Sequence, residues 1–335
     1  MKPKCFITRK IPDVGLNKIG QHFEIEVWEK DTPPPKEILR EKVRYVNALV
    51  TLLTDPIDKE VLANAPKLRI ISQYAVGYDN IDIEECTRRE IYVTNTPGVL
   101  TDAVADLTWA LILSITRRIV EAHDYVISGK WEESKVGWHP TLMLGTELKG
   151  KILGIIGMGR IGQAVAKRAI GFGMKVIYFS RKRKEEIEKE LNAEFVDLNT
   201  LLRKSDIISI HVSLNKDTYH MINSENLRLV KPTAYLINTS RGAVIDEKAL
   251  YIALTSGKIA GAALDVFEKE PTPSDNPLLK LRNVIATPHI GSATNETRNK
   301  MAEIVADNLI AFLNNTIPPN LVNTDVRRIR KPGFD

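Results

Sequence analysis

The chain has few cysteines and no long apolar run. Only Cys5 and Cys86 occur among its 335 residues, too few for a disulfide framework or a cysteine-based metal motif. The longest apolar run, 107–115, is interrupted by Thr108 and Ser114 and is too short to span a bilayer. The first ten residues lack the apolar segment of a signal peptide. We therefore expect a cytoplasmic protein with no membrane partner and no metal site.

The chain also lacks a concentrated charge of one sign. Lysine and arginine number 47 against 42 acidic residues, and the two signs alternate along the sequence. This pattern is typical of a solvated surface, and we expect no nucleic-acid partner. A composition of 43% hydrophobic and 27% charged residues can build an ordinary globular core. The Lys/Glu-rich surface is compatible with a thermostable, heat-adapted protein.

Short runs typical of strands alternate with helical patterns along nearly the whole chain, which predicts an α/β fold with parallel sheets covered on both faces. The predicted strands are Lys4–Thr8, Ala48–Leu52, Arg69–Gln73, Tyr92–Asn95, Ile152–Ile156, Lys175–Ser180, Ile207–Val212, Ala234–Asn238, Ala262–Val266 and Val284–Thr287. A helix is predicted from Thr101 or Asp102 to about Ser128, followed by an irregular segment over 129–150.

The stretch "KILGIIGMGRIGQAVAKRAI" predicts a strand, a tight turn and a helix. Gly157, Gly159 and Gly162 follow the G-x-G-x-x-G pattern, which lets a pyrophosphate approach the backbone at the start of a helix. We therefore assign dinucleotide binding to the whole turn, which comprises Gly157, Met158, Gly159, Arg160, Ile161 and Gly162. Four predicted strands precede the turn, so a separate α/β domain must come first, with the junction after "TNTPG" at 94–98.

The residues after the next strand indicate which dinucleotide is bound. A site for NAD places an acidic residue there, about 20 residues after the turn. This chain has Ser180, Arg181, Lys182 and Arg183 instead, and cations of this kind pair with a 2′-phosphate. These residues therefore favour NADP(H) as the cofactor. The alternative is that these cations are solvated and that NAD(H) is accepted as well.

Three further segments place polar residues just beyond predicted strands, where ligands of parallel sheets bind. Arg241 lies in "YLINTSRGAVID", His289 in "VIATPHIGSAT", and three acidic residues in "AALDVFEKEP": Asp265, Glu268 and Glu270. Reduction of a ketone needs a proton donor, and a carboxylate substrate needs a cation. Histidine suits the first role, arginine the second, and an acidic residue beside the imidazole favours its protonated form.

These segments together resemble the D-isomer-specific 2-hydroxyacid dehydrogenase family, and most closely its archaeal glyoxylate reductase branch. The motifs "GMGRIGQAVAKRA", "INTSRGAVIDEKAL", "AGAALDVFEKEP" and "TPHIGSAT" follow in the family's order and spacing. The resemblance implies that Arg241 binds substrate, that His289 is the acid/base and that Glu270 is its partner. It also implies that the amides of Val76 and Gly77, in "YAVGYDNID", receive the substrate carboxylate.

The resemblance further implies two domains and a homodimer. A smaller flavodoxin-like substrate domain would comprise 1–98 and 291–335, and a doubly wound Rossmann domain 99–290. Leu53 and Trp138 are candidates for limiting substrate size, with Trp138 completing a neighbour's site. Thr239, Ser240 and Asp265, which follow strands, are assigned to the cofactor.

The implied reaction is reduction of glyoxylate, and of hydroxypyruvate, by NAD(P)H. Other 2-hydroxyacid substrates, such as D-lactate or 3-phosphoglycerate, are an alternative, although 50–100 holds no strong basic cluster for a phosphate. A non-catalytic nucleotide-sensing protein on the same fold is a second alternative.

Overall fold

The structure, a computed structural model, describes residues 1–334 and divides into two compact units. The first unit comprises Met1–Leu100 together with the chain from Ser292 onward, and the second comprises Thr101–Gly291. Each unit is built around its own parallel sheet.

The sheet of the first unit has five parallel strands in the order β2-β1-β3-β4-β5. This is the strand order of flavodoxin-like folds. The strands are β1 (Lys4–Ile7), β2 (Glu24–Val27), β3 (Ala48–Thr51), β4 (Ile70–Gln73) and β5 (Tyr92–Thr94).

The sheet of the second unit has seven parallel strands in the order β12-β11-β10-β9-β6-β7-β8. Its order reverses between β6 and β9, as in the doubly wound dinucleotide-binding fold. The strands are β6 (Ile152–Ile156), β7 (Lys175–Phe179), β8 (Glu194–Phe195), β9 (Ile207–Ile210), β10 (Tyr235–Asn238), β11 (Gly261–Leu264) and β12 (Val284–Ala286).

Helices connect the strands, and several begin where an Asp, Asn or Thr side chain accepts a hydrogen bond from the first turn, as at Asp58, Asp197 and Asp246. The helices are α1 (Asp13–His22), α2 (Lys36–Lys42), α3 (Lys59–Ala63), α4 (Ile83–Arg88), α5 (Thr101–Thr116), α6 (Ile119–Ile127), α7 (Lys130–Ser134), α8 (Arg160–Gly171), α9 (Glu185–Leu191), α10 (Leu198–Lys204), α11 (Ser224–Leu227), α12 (Glu247–Thr255) and α13 (Asn295–Leu313). Short 3-10 helices lie at Gly242–Val244, Pro277–Lys280 and Thr324–Arg328.

The central strands are buried along their whole length. All four residues of β4 and all four of β9 are buried, since helices cover both faces of a parallel sheet. This explains why these segments do not alternate between apolar and polar residues, and why β9, with the sequence "IISI", has a single polar residue. Functional polar residues are therefore confined to the strand ends.

The ten predicted strands are present, and the structure adds two edge strands and divides one helix. The added strands are β2, whose residues alternate between exposed and half-buried, and the two-residue β8. The prediction of one helix to about Ser128 is wrong, because the chain breaks between α5 and α6 at Arg118, which has a left-handed φ of 56°. The 129–150 segment, predicted to be irregular, contains the short helix α7.

Candidate active site

The three glycines after β6 have three different structural roles. Gly157 has a φ of +101°, and a Cβ there would lie 2.7 Å from the carbonyl oxygen of His211. A Cβ on Gly162 would overlap the carbonyl oxygen of Gly157, so this glycine lets α8 pack on the strand. A Cβ on Gly159 would have no neighbour within 4 Å. The turn thus needs glycine at Gly157 and Gly162, and leaves open space at Gly159.

The start of α8 is suited to an anion. Gly159 is its N-cap residue, and the first turn contains no acidic residue. The N–H groups and the positive end of the helix dipole are therefore not neutralised by a neighbouring carboxylate of that turn. A glycine turn leading into such a helix fits the pyrophosphate of a dinucleotide.

The cations after β7 differ in their surroundings. Arg181 and Lys182 are exposed and Ser180 is half-buried. The guanidinium of Arg183 donates to both carboxylate oxygens of Glu188, at 2.7 to 3.1 Å. Tyr178 also donates to Glu188, at 2.7 Å, so Arg183 helps to hold the start of α9 against β7.

Arg241 lies just beyond β10, in a turn closed by buried Asn238. The Asn238 amide donates to the carbonyl oxygen of Arg241 at 2.9 Å, and its oxygen accepts from the Ser240 N–H at 3.0 Å. A Cβ on Gly242 would overlap the peptide between Phe267 and Glu268. The Arg241 turn can therefore pack directly on the segment that follows β11.

Glu270 and His289 form a hydrogen-bonded pair beyond β11 and β12. His289 Nδ1 lies 2.6 Å from Glu270 Oε2, and about a third of each side chain is exposed. Burial opposes ionisation of Glu270, but it is outweighed by the combined effect of the hydrogen bond and charge interaction with His289, the Phe267 N–H and the charge of Arg241. The pKa of Glu270 consequently lies below its ordinary value. With Nδ1 bonded to Glu270, Nε2 is the ring nitrogen left to exchange a proton with a substrate.

Asp265 fixes the backbone around His289. Its carboxylate accepts from Thr287 Oγ1 at 2.6 Å and from the N–H groups of Ile290 and Gly291, each at 2.9 Å. The N–H of His289 donates to the Asp265 carbonyl oxygen at 2.9 Å, and His289 has a left-handed φ of 53°. Burial raises the pKa of Asp265, against the hydrogen bonds that favour its ionised form. Asp265 therefore stabilises a backbone conformation that a non-glycine residue seldom adopts.

The remaining predicted residues lie on loops. Val76 and Gly77 follow β4 in the first unit, where they and Leu53 are half-buried. Trp138 follows α7 in the second unit and is 84% exposed. The Thr239 hydroxyl lies 3.0 Å from that of Thr108. Their assignment to substrate or cofactor stays a prediction.

Comparison with known proteins identifies the family. The family model of the D-isomer specific 2-hydroxyacid dehydrogenase NAD binding domain matches residues 109–291. The chain belongs to the D-isomer-specific 2-hydroxyacid dehydrogenase family. It is 64% identical to a glyoxylate reductase from Thermococcus litoralis, over 97% of this chain and 98% of the relative. It is 59% identical to a glyoxylate reductase from Korarchaeum cryptofilum over the full length of both.

Solved structures agree with this dehydrogenase fold. The chain matches the TT0316 protein of Thermus thermophilus with a TM-score of 0.89 and 44% identity, over 95% of this chain and 99% of that one. It matches an NADPH-dependent glyoxylate/hydroxypyruvate reductase from Sinorhizobium meliloti, solved with NADP and malonate, with a TM-score of 0.86 and 31% identity. That match covers 97% of this chain and 98% of the other. The predicted family and the predicted α/β fold are thus confirmed.

Two kinds of feature are absent from the described residues of this dehydrogenase. Within residues 1–334, no helix combines the length and apolar character needed to cross a membrane. Across the same residues, no three or more His, Cys, Asp or Glu side chains are grouped so that they could hold a metal ion.

Sequence patterns did not reveal the anchoring roles of Asn238 and Asp265. Asn238 ends an apolar strand and Asp265 directly follows one, and they are 0% and 1% exposed. A buried polar side chain at a strand end requires hydrogen-bond partners in the protein. This requirement is the signal by which the two residues could have been found. The partners themselves, at 240–241 and 287–291, became evident only from the folded chain.

Proposed function

We propose that this dehydrogenase reduces glyoxylate to glycolate, and hydroxypyruvate to D-glycerate, with NAD(P)H as the hydride donor. The observation that carries the proposal is the Glu270–His289 pair, at 2.6 Å, with the charge of Arg241 close enough to lower the pKa of Glu270. These residues follow the adjacent strands β10, β11 and β12. The glyoxylate reductases to which the chain is similar support the same substrate.

The proton for this reduction comes from His289. A bound nicotinamide supplies the hydride, and the ketone oxygen then needs a proton. His289 donates that proton from Nε2, because Nδ1 is held by Glu270. Glu270 orients the imidazole through this hydrogen bond. Asp265 keeps the ring in place through the backbone of residues 289–291.

Substrate is held by its carboxylate. Arg241 offers a guanidinium that can bind a carboxylate through two parallel hydrogen bonds and polarise the ketone oxygen. The amides of Val76 and Gly77, in the first unit, are also assigned to a substrate carboxylate. Leu53 and Trp138 limit the size of the substituent next to the ketone, which favours the smallest 2-oxo acids.

NADP(H) is the preferred cofactor in this proposal. The turn from Gly157 to Gly162 holds the pyrophosphate at the start of α8, while Ser180, Arg181 and Lys182 bind the 2′-phosphate. No acidic residue stands at these positions to repel it. We leave Arg183 out of this role, since its guanidinium is paired with Glu188.

Replacing Arg181 should impair the use of NADPH but not that of NADH. Loss of one charge-assisted hydrogen bond is worth about 1.5–3 kcal/mol, so Arg181→Ala should lower kcat/KM for NADPH by about 10- to 100-fold. The value for NADH should change little, because NADH lacks the 2′-phosphate. Arg183→Ala is the matched control and should leave the NADPH/NADH ratio unchanged. Equal losses with both cofactors in Arg181→Ala would contradict the assignment.

The two alternative functions are less well supported. Residues 50–100 hold no strong basic cluster, which disfavours 3-phosphoglycerate. A nucleotide sensor would not need the Glu270–His289 pair. Analysis of the products tests the proposal: glycolate is expected from glyoxylate, and chiral analysis should find D-glycerate from hydroxypyruvate, whereas L-glycerate or no product would contradict the proposal.

A homodimer is part of the proposal, with α6, α7 and the following loop at its interface. Neither helix buries a residue within the chain, and an extended apolar surface of this kind marks an interface. A second copy of the chain is the proposed occupant, as symmetric dimers are the commonest assembly. The exposed apolar residues are Ile119, Val120, Val126, Ile127, Trp131, Val136, Trp138, Leu142 and Leu144.

Charge introduced on this surface should separate the subunits. Val126 and Ile127 are 50% and 68% exposed, and Ile252 on α12 is 64% exposed. The double variant Val126→Asp/Ile127→Asp should sediment as a monomer, whereas wild type and the control Ile252→Asp should sediment as dimers. A monomeric wild type, or a double variant that stays dimeric, would refute this interface.

A further inference from the structure

The loop 74–82, which follows β4, is fixed by its carbonyl groups. The Ala75 carbonyl oxygen accepts from the Thr96 N–H at 2.9 Å. The Val76 carbonyl oxygen accepts from the side-chain amide of Asn95 at 2.8 Å. The Gly77 carbonyl oxygen accepts from the side-chain amide of Gln73 at 3.2 Å. Three consecutive peptide groups are thus held by their carbonyl oxygens.

This arrangement determines where two N–H groups point. The peptide bonds of this loop are trans, and in a planar trans peptide the C=O and the following N–H point in opposite directions. With the carbonyl of Ala75 bonded to Thr96 and that of Val76 to Asn95, the N–H groups of Val76 and Gly77 point away from residues 95–96. Neither of these two N–H groups donates a hydrogen bond within residues 1–334. Successive N–H groups of this kind form an anion-binding concavity.

Gln73 is itself held rigidly. Its side chain is fully buried. Its oxygen accepts from Thr51 Oγ1 at 2.5 Å, and its nitrogen donates to Asn80 Oδ1 at 2.7 Å as well as to Gly77. All hydrogen-bonding groups of this amide except one acceptor site are therefore used.

Asn80 connects the loop to the neighbouring strand end. Its nitrogen donates to the carbonyl oxygens of Leu52 and Asp55, at 3.0 and 2.8 Å. The buried Asp55 carboxylate binds Arg9 at 2.7 Å and accepts from the Leu52 N–H at 2.7 Å. The loop is thus anchored to an internal network of the first unit, independently of any ligand.

We propose that Asn95 and Gln73 are positioning residues, which orient the amides of Val76 and Gly77 so that they receive the carboxylate of a 2-oxo acid. This inference rests on the proposed function. Neither side chain takes part in proton transfer. They hold the loop in the binding conformation before the substrate arrives. Substrate binding therefore does not lose free energy to the ordering of the loop.

Asn95→Ala tests the proposal because it removes the donor to Val76 without adding charge. We expect the KM for glyoxylate to rise about tenfold, the equivalent of one hydrogen bond. The inhibition constant of oxamate, which has a carboxylate but no reducible ketone, should rise by the same factor. The kcat and the KM for NADPH should stay within about twofold of wild type, since uniform binding affects KM alone. Gln73→Met should shift KM and the oxamate constant in the same direction.

Asn64→Ala is the matched control. The Asn64 amide donates to the Glu60 carbonyl oxygen at 2.9 Å and accepts from Arg44 at 3.1 Å, both outside residues 74–82, and this variant should show wild-type constants. Unchanged KM and oxamate binding in Asn95→Ala would overturn the inference, as would a fall in kcat with no change in KM.

A wild type that reduces no 2-oxo acid would refute the proposed function instead. In that case, amide hydrogen exchange over 74–82 decides the positioning role: exchange in Asn95→Ala should be faster than in Asn64→Ala, and equal rates would overturn it.

Discussion

His289→Ala should lower kcat for glyoxylate reduction by between about 100-fold and 10,000-fold, the range that general acid catalysis contributes. The residue lies 2.6 Å from Glu270, which orients its ring and leaves Nε2 for the substrate. NADPH affinity should be retained, because the glycine turn and the 180–182 cations are untouched. Steady-state kinetics together with NADPH binding by fluorescence provide the measurement. Wild-type turnover in this variant would refute the acid role of His289.

The companion variant Glu270→Gln tests the pair through its pH dependence. The pKa of Glu270 is lowered in the folded protein. Its carboxylate therefore stays charged as the pH falls from neutral toward its ordinary value, and the pairing is lost only when the pH falls through the lowered value. Glu270→Gln has no titratable carboxylate at this position. The loss of rate that wild type shows as the pH falls through the lowered pKa of Glu270 should therefore be missing in the variant. The same loss of rate at low pH in both proteins would show that Glu270 does not act through His289.

Arg241→Ala should lower kcat/KM for glyoxylate by about 100- to 1,000-fold, as expected for loss of a group that stabilises developing charge on an oxygen. Both KM and kcat should be affected, because Arg241 is proposed to hold the carboxylate and to polarise the ketone. Initial rates over a range of glyoxylate concentrations separate the two parameters. The NADPH dissociation constant should be unchanged.

Two further variants make the Arg241 test specific. Arg241→Lys keeps the charge but loses the planar pair of donors, so it should recover little of the rate. Arg228→Ala, at an exposed arginine that follows α11, should behave as wild type. Full activity in Arg241→Lys would mean that charge alone is required, and full activity in Arg241→Ala would contradict substrate binding by this residue.

Much of the fold could be predicted because buried parallel strands are apolar along most of their length. Strands such as β6, with the sequence "ILGII", and β9, with the sequence "IISI", therefore stand out from their surroundings. The edge strand β2, with the sequence "EIEV", alternates charged and apolar residues, and β8 has two residues only. Neither carries the signal of a buried strand. The break at Arg118 depends on a backbone conformation that the residue type does not indicate.

The candidate site could be predicted only in part, for a different reason. The positions of Arg241, Glu270 and His289 follow from their place after strands and from the family motifs. The choice of Glu270 over Glu268 as the partner of His289 rested on motif resemblance, and in the structure Glu270 is the residue that binds His289 Nδ1. The pairing of Arg183 with Glu188, and the anchoring by Asn238, Asp265 and Asn95, depend on contacts that only the folded chain brings together. A cytoplasmic location and thermostability stay predictions.

The central claim is that the chain transfers hydride from NADPH to a small 2-oxo acid. The most direct test is the initial rate of NADPH oxidation by purified wild-type protein when glyoxylate is added, with pyruvate, hydroxypyruvate and NADH run in parallel. We expect rapid, saturable oxidation with glyoxylate and hydroxypyruvate, slower oxidation with pyruvate, and lower efficiency with NADH. Tight binding of NADPH without oxidation by any of these acids would contradict the account.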